Sequence, residues 1–178
     1  MTISRPDASP IQISDMHKLA NAIVLTSQGI PFLHAGVEMM RTKGGDHNSY
    51  NKPDLINSIN WHWKQKNKDV FNYYKALISL RKVHPAFYMP TAEMVREKLN
   101  FRRTSNGLVS FEIVDNANND RWSKILVVYN AKPKKIQFEL TGRWWLAAIG
   151  SKVDEKGIRQ VSDFVKIPPS SMLIAFQK

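Results

Sequence analysis

The 178-residue chain contains no cysteine. That excludes disulfides, thiolate zinc sites and thiol nucleophiles, and it leaves the redox compartment, and with it the cellular location, open. No apolar run approaches the ~20 residues of a membrane-spanning helix, so no membrane partner is expected. Met1 to Pro10 has no apolar core and is not expected to be a signal peptide. No serine sits in a G-x-S-x-G setting, which removes a nucleophile elbow. Gly44-Gly45 lacks a following Lys-Ser or Lys-Thr, which removes a phosphate loop. His17, His34, His47, His62 and His84 have no metal-type spacing, so no metal and no cofactor are expected. Acidic residues are few: 15 Asp and Glu face 26 Lys and Arg, a formal net charge of +11. Such an excess invites a nucleic-acid reading. Against it, the basic residues are spread along the chain. Their densest groups, Lys64-Lys66-Lys68 and Lys132-Lys134-Lys135, are short and fit solvated loops, so no nucleic-acid partner is expected.

What is present belongs to a folded protein. Hydrophobic residues make up 43% and charged residues 23%, which is not the balance of a disordered chain. The length fits one domain or a domain plus a fragment. Ser14 or Asp15 is placed to cap a helix running to about Gln28, with Met16, Leu19, Ala20, Ile23 and Val24 as its apolar face. After Gly29, the short apolar segment Ile30–Leu33 reads as a buried strand ending in His34. Helix, tight turn and buried strand form the αβ step of a (β/α) barrel.

A polar loop follows, from Gly36 to about Lys68. Loops of that length are usually functional or disordered. Here Tyr50, Ile56, Ile59, Trp61 and Trp63 are expected to anchor it. Asp69 is placed to cap a second helix, whose face is Val70, Tyr73, Tyr74, Leu77, Ile78 and Leu80. His84-Pro85 stops that helix, because a residue before proline is pushed out of the α region. Beyond Pro85 the helical period gives way to short β-rich runs between turns. Strands are expected near Glu97–Arg103, Leu108–Val114, Lys124–Asn130, Lys135–Leu140, Trp144–Ile149, Gln160–Lys166 and Met172–Gln177. Val109, Phe111 and Ile113 alternate with Ser110 and Glu112, as in a half-buried strand. The fold class expected is an α/β remnant, residues 1–88, followed by an all-β antiparallel sandwich, residues 89–178.

The stretch "SQGIPFLHAGVEMMRTKGGDHNSYNKPDLINSINW" closely resembles the eighth strand and following loop of type I pullulanases, debranching enzymes of the α-amylase (glycoside hydrolase 13) family. The resemblance continues through "DVFNYYKALISLRKVHPAF", similar to the helix that closes the family's barrel. The ending "VKIPPSSMLIAFQK" resembles the closing strand of the family's C-terminal β-domain. The resemblance thus implies the end of a (β/α)8 TIM barrel plus the sandwich behind it, the last part of a much longer glycoside hydrolase. The parent would cleave α-1,6-glucosidic bonds in pullulan, glycogen or limit dextrins.

Glycoside hydrolysis needs two carboxylates flanking the scissile bond. The resemblance places those groups after earlier barrel strands, whose motifs are not in this sequence. No catalytic residue is therefore expected here, and the chain alone should be inactive. What remains is a share of the substrate cleft. Asp46, Asn48, Asn51, Asp54 and Asn57 offer hydrogen-bonding groups for sugar hydroxyls, Tyr50 offers a flat face for a pyranose, and Arg41 and Lys43 match the family's "RTK". The bland reading is that Arg41 and Lys43 pair with Glu38 or Asp46 to hold the loop. Trp144-Trp145 would point to opposite faces of a strand, which favours core packing over a sugar platform. The partners implied are an α-glucan, through the parent, and the remainder of the barrel. Alone, an uncovered strand edge invites self-association. The alternative is a non-catalytic carbohydrate-binding or interaction module.

Overall fold

The computed structural model describes residues 5–178. Among these residues five α-helices precede nine strands: α1 Pro10–Thr26, α2 Asp54–Asn57, α3 His62–Lys66, α4 Lys68–Val83, α5 Ala92–Lys98, then β1 Leu99–Ser105, β2 Leu108–Val114, β3 Lys124–Asn130, β4 Ile136–Glu139, β5 Trp144–Ile149, β6 Lys152–Val153, β7 Arg159–Val161, β8 Phe164–Ile167 and β9 Ser171–Gln177. All strand pairs are antiparallel. The larger sheet runs in the order β1-β2-β3-β9-β5-β6, with β7 also on β5, and β4 pairs with β8 in a second sheet.

Side-chain alternation sends each strand's residues to two different cores. On one face, Phe111, Ile113, Val127, Ile174 and Phe176 pack with Leu19, Ala22 and Leu25 of α1 and with Val70, Tyr73, Tyr74, Leu77 and Leu80 of α4. On the other, Leu126, Val128, Leu173, Ala175 and Leu146 pack with Phe138, Val165 and Ile167 of the small sheet. The layers are helix pair, large sheet, small sheet. Trp144 lies in the second core and Trp145 borders the first, so the two rings do part across the strand. β2 departs from the half-buried expectation. Glu112 is itself buried, held by Arg102 at 2.9 Å and Lys124 at 3.4 Å.

Several expected details shift. α1 begins earlier, at a capping box: Gln12 N donates to Ser9 Oγ and Ser9 N donates to Gln12 Oε1. Ser14 and Asp15 lie inside the helix. Its buried face is Lys18, Leu19, Ala22, Leu25 and Thr26, rotated from the expected one, and Ala20 and Ile23 face outward. Lys18 is admitted to that face because its Nζ donates to Asp69 Oδ2 at 2.8 Å and to Ser151 Oγ at 3.2 Å. Asp69 thus serves Lys18, and Asn67 takes the N-cap position of α4. Ile78 is partly exposed, while Arg81 takes a place on the buried face. Glu97 and Lys98 end the helix α5, so the first strand starts at Leu99. The run 160–166 is split into β7 and β8 around Asp163, which has a left-handed backbone (φ 62°).

The largest difference concerns Ile30–Leu33. It forms no strand, and Ile30 and Phe32 are 97% and 87% exposed. A buried parallel strand needs hydrogen-bonded neighbours on both sides, and no described segment pairs with this one. His34 is exposed for the same reason.

Candidate functional site

The loop after that segment is built from short helical turns rather than being irregular throughout. Residues Val37–Met39 make one 3-10 turn, entered through Gly36 at φ 91°. A side chain is excluded there on two counts: the positive φ, and Arg41 Cβ and Cδ lying 2.8 Å from where a Cβ would sit. Gly36 therefore lets the Arg41 stem fold back over the backbone. Its guanidinium donates to Ala35 O at 3.2 Å and to Asn57 O.

Asn57 is the knot of the loop. Its Nδ2 donates to Ser49 O at 2.6 Å and Lys52 O at 2.7 Å. Its Oδ1 accepts from Lys43 Nζ, and its backbone carbonyl accepts from Arg41. One residue thus gathers four positions spread over 41–52. Asp46 adds a smaller tie, its Oδ1 accepting from Asn48 N at 2.9 Å and its Oδ2 lying 3.9 Å from Lys52 Nζ. Around this frame Asn48, Tyr50, Asn51 and Asp54 face solvent, with Tyr50 84% exposed. Asp54 opens α2, and Leu55 beside it is also exposed. Tyr50 and Trp61 do not anchor the loop, since both rings are exposed; Trp63, Ile56 and Ile59 are half-buried.

Asn67 and His17 fasten the loop to the body, and Arg81 fastens the chain that leads into it. Asn67 Nδ2 donates to Met39 O at 2.8 Å. His17 Nε2 lies 2.7 Å from Val37 O and 3.0 Å from the Tyr74 hydroxyl. A carbonyl only accepts, so Nε2 carries the hydrogen. Burial lowers the His17 pKa below the ordinary imidazole value, against the opposing effect of the Val37 carbonyl. Arg81 ends α1 by donating to Leu25 O (2.9 Å), Ser27 O (2.8 Å) and Gly29 O (2.6 Å), the favourable placement of a cation at a helix C-terminus.

Residues 95–151 match the family described as pullulanase, all-beta domain. A pullulanase of Bacillus subtilis (strain 168) is 34% identical over 140 residues, covering 79% of this chain and 20% of the relative. Over 99% of this chain and 22% of the other, the fold superposes on a pullulanase from Bacillus acidopullulyticus with a TM-score of 0.95 and 40% identity. The chain is a relative of the pullulanases. It also matches a pullulanase from Paenibacillus barengoltzii in complex with maltohexaose and alpha-cyclodextrin, with 38% identity and a TM-score of 0.88 over 99% of this chain and 27% of that one. The chain spans about a fifth of the length of the curated pullulanase and isoamylase relatives it matches, which are debranching glycoside hydrolases.

Within this pullulanase-related chain, the loop residues named from sequence divide into a frame and a face. Arg41, Asp46 and Asn57 are engaged with the loop's own backbone, and Arg41 reaches carbonyls rather than Glu38 or Asp46. Asn48, Tyr50, Asn51 and Asp54 are outside. Among the described residues no group of three or more His, Cys, Asp or Glu is placed to hold a metal ion. Sequence reasoning missed three buried polar devices: Lys18 with Asp69, Arg81 at the end of α1, and His84 with Asp120. The first two had a signal, a cation at an apolar position of a helix. Asp120, in a turn of asparagines, had none.

Proposed function

We propose that this chain is the C-terminal portion of a pullulanase-like debranching glycoside hydrolase, acting in the parent on α-1,6-glucosidic bonds of pullulan, glycogen or limit dextrins. Residues 1–88 are the end of the catalytic (β/α)8 barrel and residues 89–178 the β-sandwich behind it. The observation that carries the reading is the pairing of an unpartnered apolar strand-like segment, Ile30–Leu33, with the tied loop that follows it. In α/β barrels the loops at the strands' C-terminal ends build the active site. On this reading Ile30 and Phe32 await the remainder of the barrel, and the loop presents Asn48, Tyr50, Asn51 and Asp54 to an α-glucan. Arg41, Asp46 and Asn57 serve the same site by holding its shape.

The chain alone is inactive on this reading, because the acid and nucleophile carboxylates belong to earlier strands of the parent. Purified chain, freed of contaminating glycosidase, releases no reducing ends from pullulan. Adding the remainder of the barrel as a second polypeptide restores hydrolysis. Release of reducing ends by the chain alone would overturn the assignment. A stand-alone carbohydrate-binding module is the rival, and exposure of Ile30 and Phe32 weighs against it. Without its barrel partner the uncovered segment pairs with another copy. A clean monomer in light scattering at working concentration would remove that part of the reading.

A further inference from the structure

His84, at the end of α4, is fully buried, and nothing in the proposed glucan site uses it. Its ring stacks on Trp122 with centroids 3.4 Å apart, and Trp122 stacks in turn on Phe176 at 4.0 Å. His84 Nδ1 lies 2.9 Å from Asp120 Oδ1. The same carboxylate accepts from Trp122 N at 2.9 Å and Ala86 N at 3.1 Å. With N–H groups converging on its two oxygens, Asp120 is the acceptor, which puts a hydrogen on Nδ1. That leaves Nε2. It is buried, has no hydrogen-bond partner among the described residues, and lies 3.7 Å from Glu155 Oε1. Glu155 sits in the turn between β6 and β7, and this same Oε1 accepts from Arg121 Nη2.

These positions define two states. With hydrogen on Nδ1 alone, the Nε2 lone pair faces a carboxylate oxygen and two acceptors meet without a bond. With a second proton on Nε2, the imidazolium donates to Asp120 and draws Glu155 in from 3.7 Å, and once that gap closes to hydrogen-bond distance the second contact becomes charge-assisted. We propose that His84 is a proton-operated clasp: protonated at Nε2 it holds the 154–157 turn against the end of α4, and deprotonated it releases that turn. Release leaves Glu155 to Arg121 and loosens the wall of a cleft of about 330 Å³ lined by Arg121, Trp122, Glu155, Lys156, Phe176 and Lys178. The charged groups around the ring are few. Asp120 comes from the β2–β3 loop and Glu155 from the β6–β7 turn, and both favour the proton. Arg121, Lys156 and Lys178 border the cleft and oppose it. The clasp does not depend on the glucan reading.

The test is NMR of the full chain with 15N-labelled histidine, together with residue-resolved amide exchange. On lowering the pH from 8 to 5.5, the Nε2 signal moves to the protonated type. Protection of the Lys156, Gly157 and Ile158 amides, corrected for intrinsic exchange, rises about tenfold or more. Glu155→Ala, a change in a partly exposed turn, abolishes the pH response, and Arg121→Ala leaves it in place. The clasp is overturned if Nε2 stays unprotonated throughout this range, or if Glu155→Ala responds to pH as the parent chain does.

Discussion

The sandwich and the 30–55 segment carry the same kinds of large apolar side chains and treat them in opposite ways. In the sandwich, Leu146, Leu173, Ile174 and Phe176 are shut away completely. In the segment, Ile30, Phe32, Tyr50 and Leu55 stand in solvent. Local hydrophobicity does not separate the two sets. Supply of neighbours does: β9 has β3 on one side and β5 on the other, and a layer on each face. Ile30–Leu33 has α1 before it, a tied loop after it, and no strand beside it among the described residues. Burial here follows the pairing of the backbone, because an extended segment without partners cannot bring its polar groups into an apolar core.

The contrast is broken most strongly at Phe176. Its ring is fully buried against Trp122, and truncation leaves a large cavity between the helix layer and the sheet. Phe176→Ala is expected to cost about 4 kcal/mol, read as a drop in the urea midpoint at unchanged slope. A loss below about 1 kcal/mol would mean that the sandwich core is far looser than its packing implies. Arg81 comes next, since from α4 it holds the end of α1 and Gly29, from which the exposed segment departs. Arg81→Ala leaves three carbonyls without their donor and should cost about 3 kcal/mol. Arg81→Lys, a point charge in place of a planar fork, should recover only part of that.

The sequence was most legible where one period ran long enough to be checked against itself. β2, β3 and β5 fall where the alternating runs place them, and α4 ends at His84-Pro85 as proline sterics require. The face of α1 was misread because apolar residues almost encircle the helix, and a salt bridge 51 positions away decides that Lys18 goes in. The α5 turn escaped because seven residues give too little periodicity, and its Thr91 cap is the signal that could have found it. In the loop, the polar character of the site was plain, but its division into frame and face was not. An asparagine tied to two carbonyls and an asparagine turned to solvent are the same letter, as Asn57 and Asn48 show.

Acid tests a weaker link between the regions. His17 on α1 meets the loop at Val37 O, and burial holds its pKa below the ordinary value. The sign follows from proton counting: below about pH 6.5 the unfolded chain takes up a proton that the folded one resists. The stability this histidine contributes is complete above that pH and is lost as the pH falls through its folded value. His17→Gln should therefore flatten the pH dependence of the urea midpoint between about pH 5 and 7. An unchanged slope would show that His17 titrates alike in both states. The His84 clasp acts in the opposite direction, so residue-resolved exchange, rather than a global melt, is the way to separate them.

The smallest effect on stability sits on the most exposed part of the contrast. Phe32 at 87% exposure has little contact to give up, so Phe32→Ser should change the unfolding free energy by no more than about 0.5 kcal/mol. The same substitution in the sandwich, Phe176→Ser, would place a hydroxyl in a closed apolar core and cost at least as much as the alanine. What Phe32→Ser should alter is association. Ile30 and Phe32 lie two residues apart and are both exposed. Removing one of the pair takes away much of the apolar surface a second copy would cover. Light scattering over a concentration series should show the variant nearer to monomer than the parent chain at every concentration. If Phe32→Ser instead unfolds the protein, Phe32 has a partner within the chain, and the segment is part of the fold's own core rather than a surface waiting for the rest of a barrel.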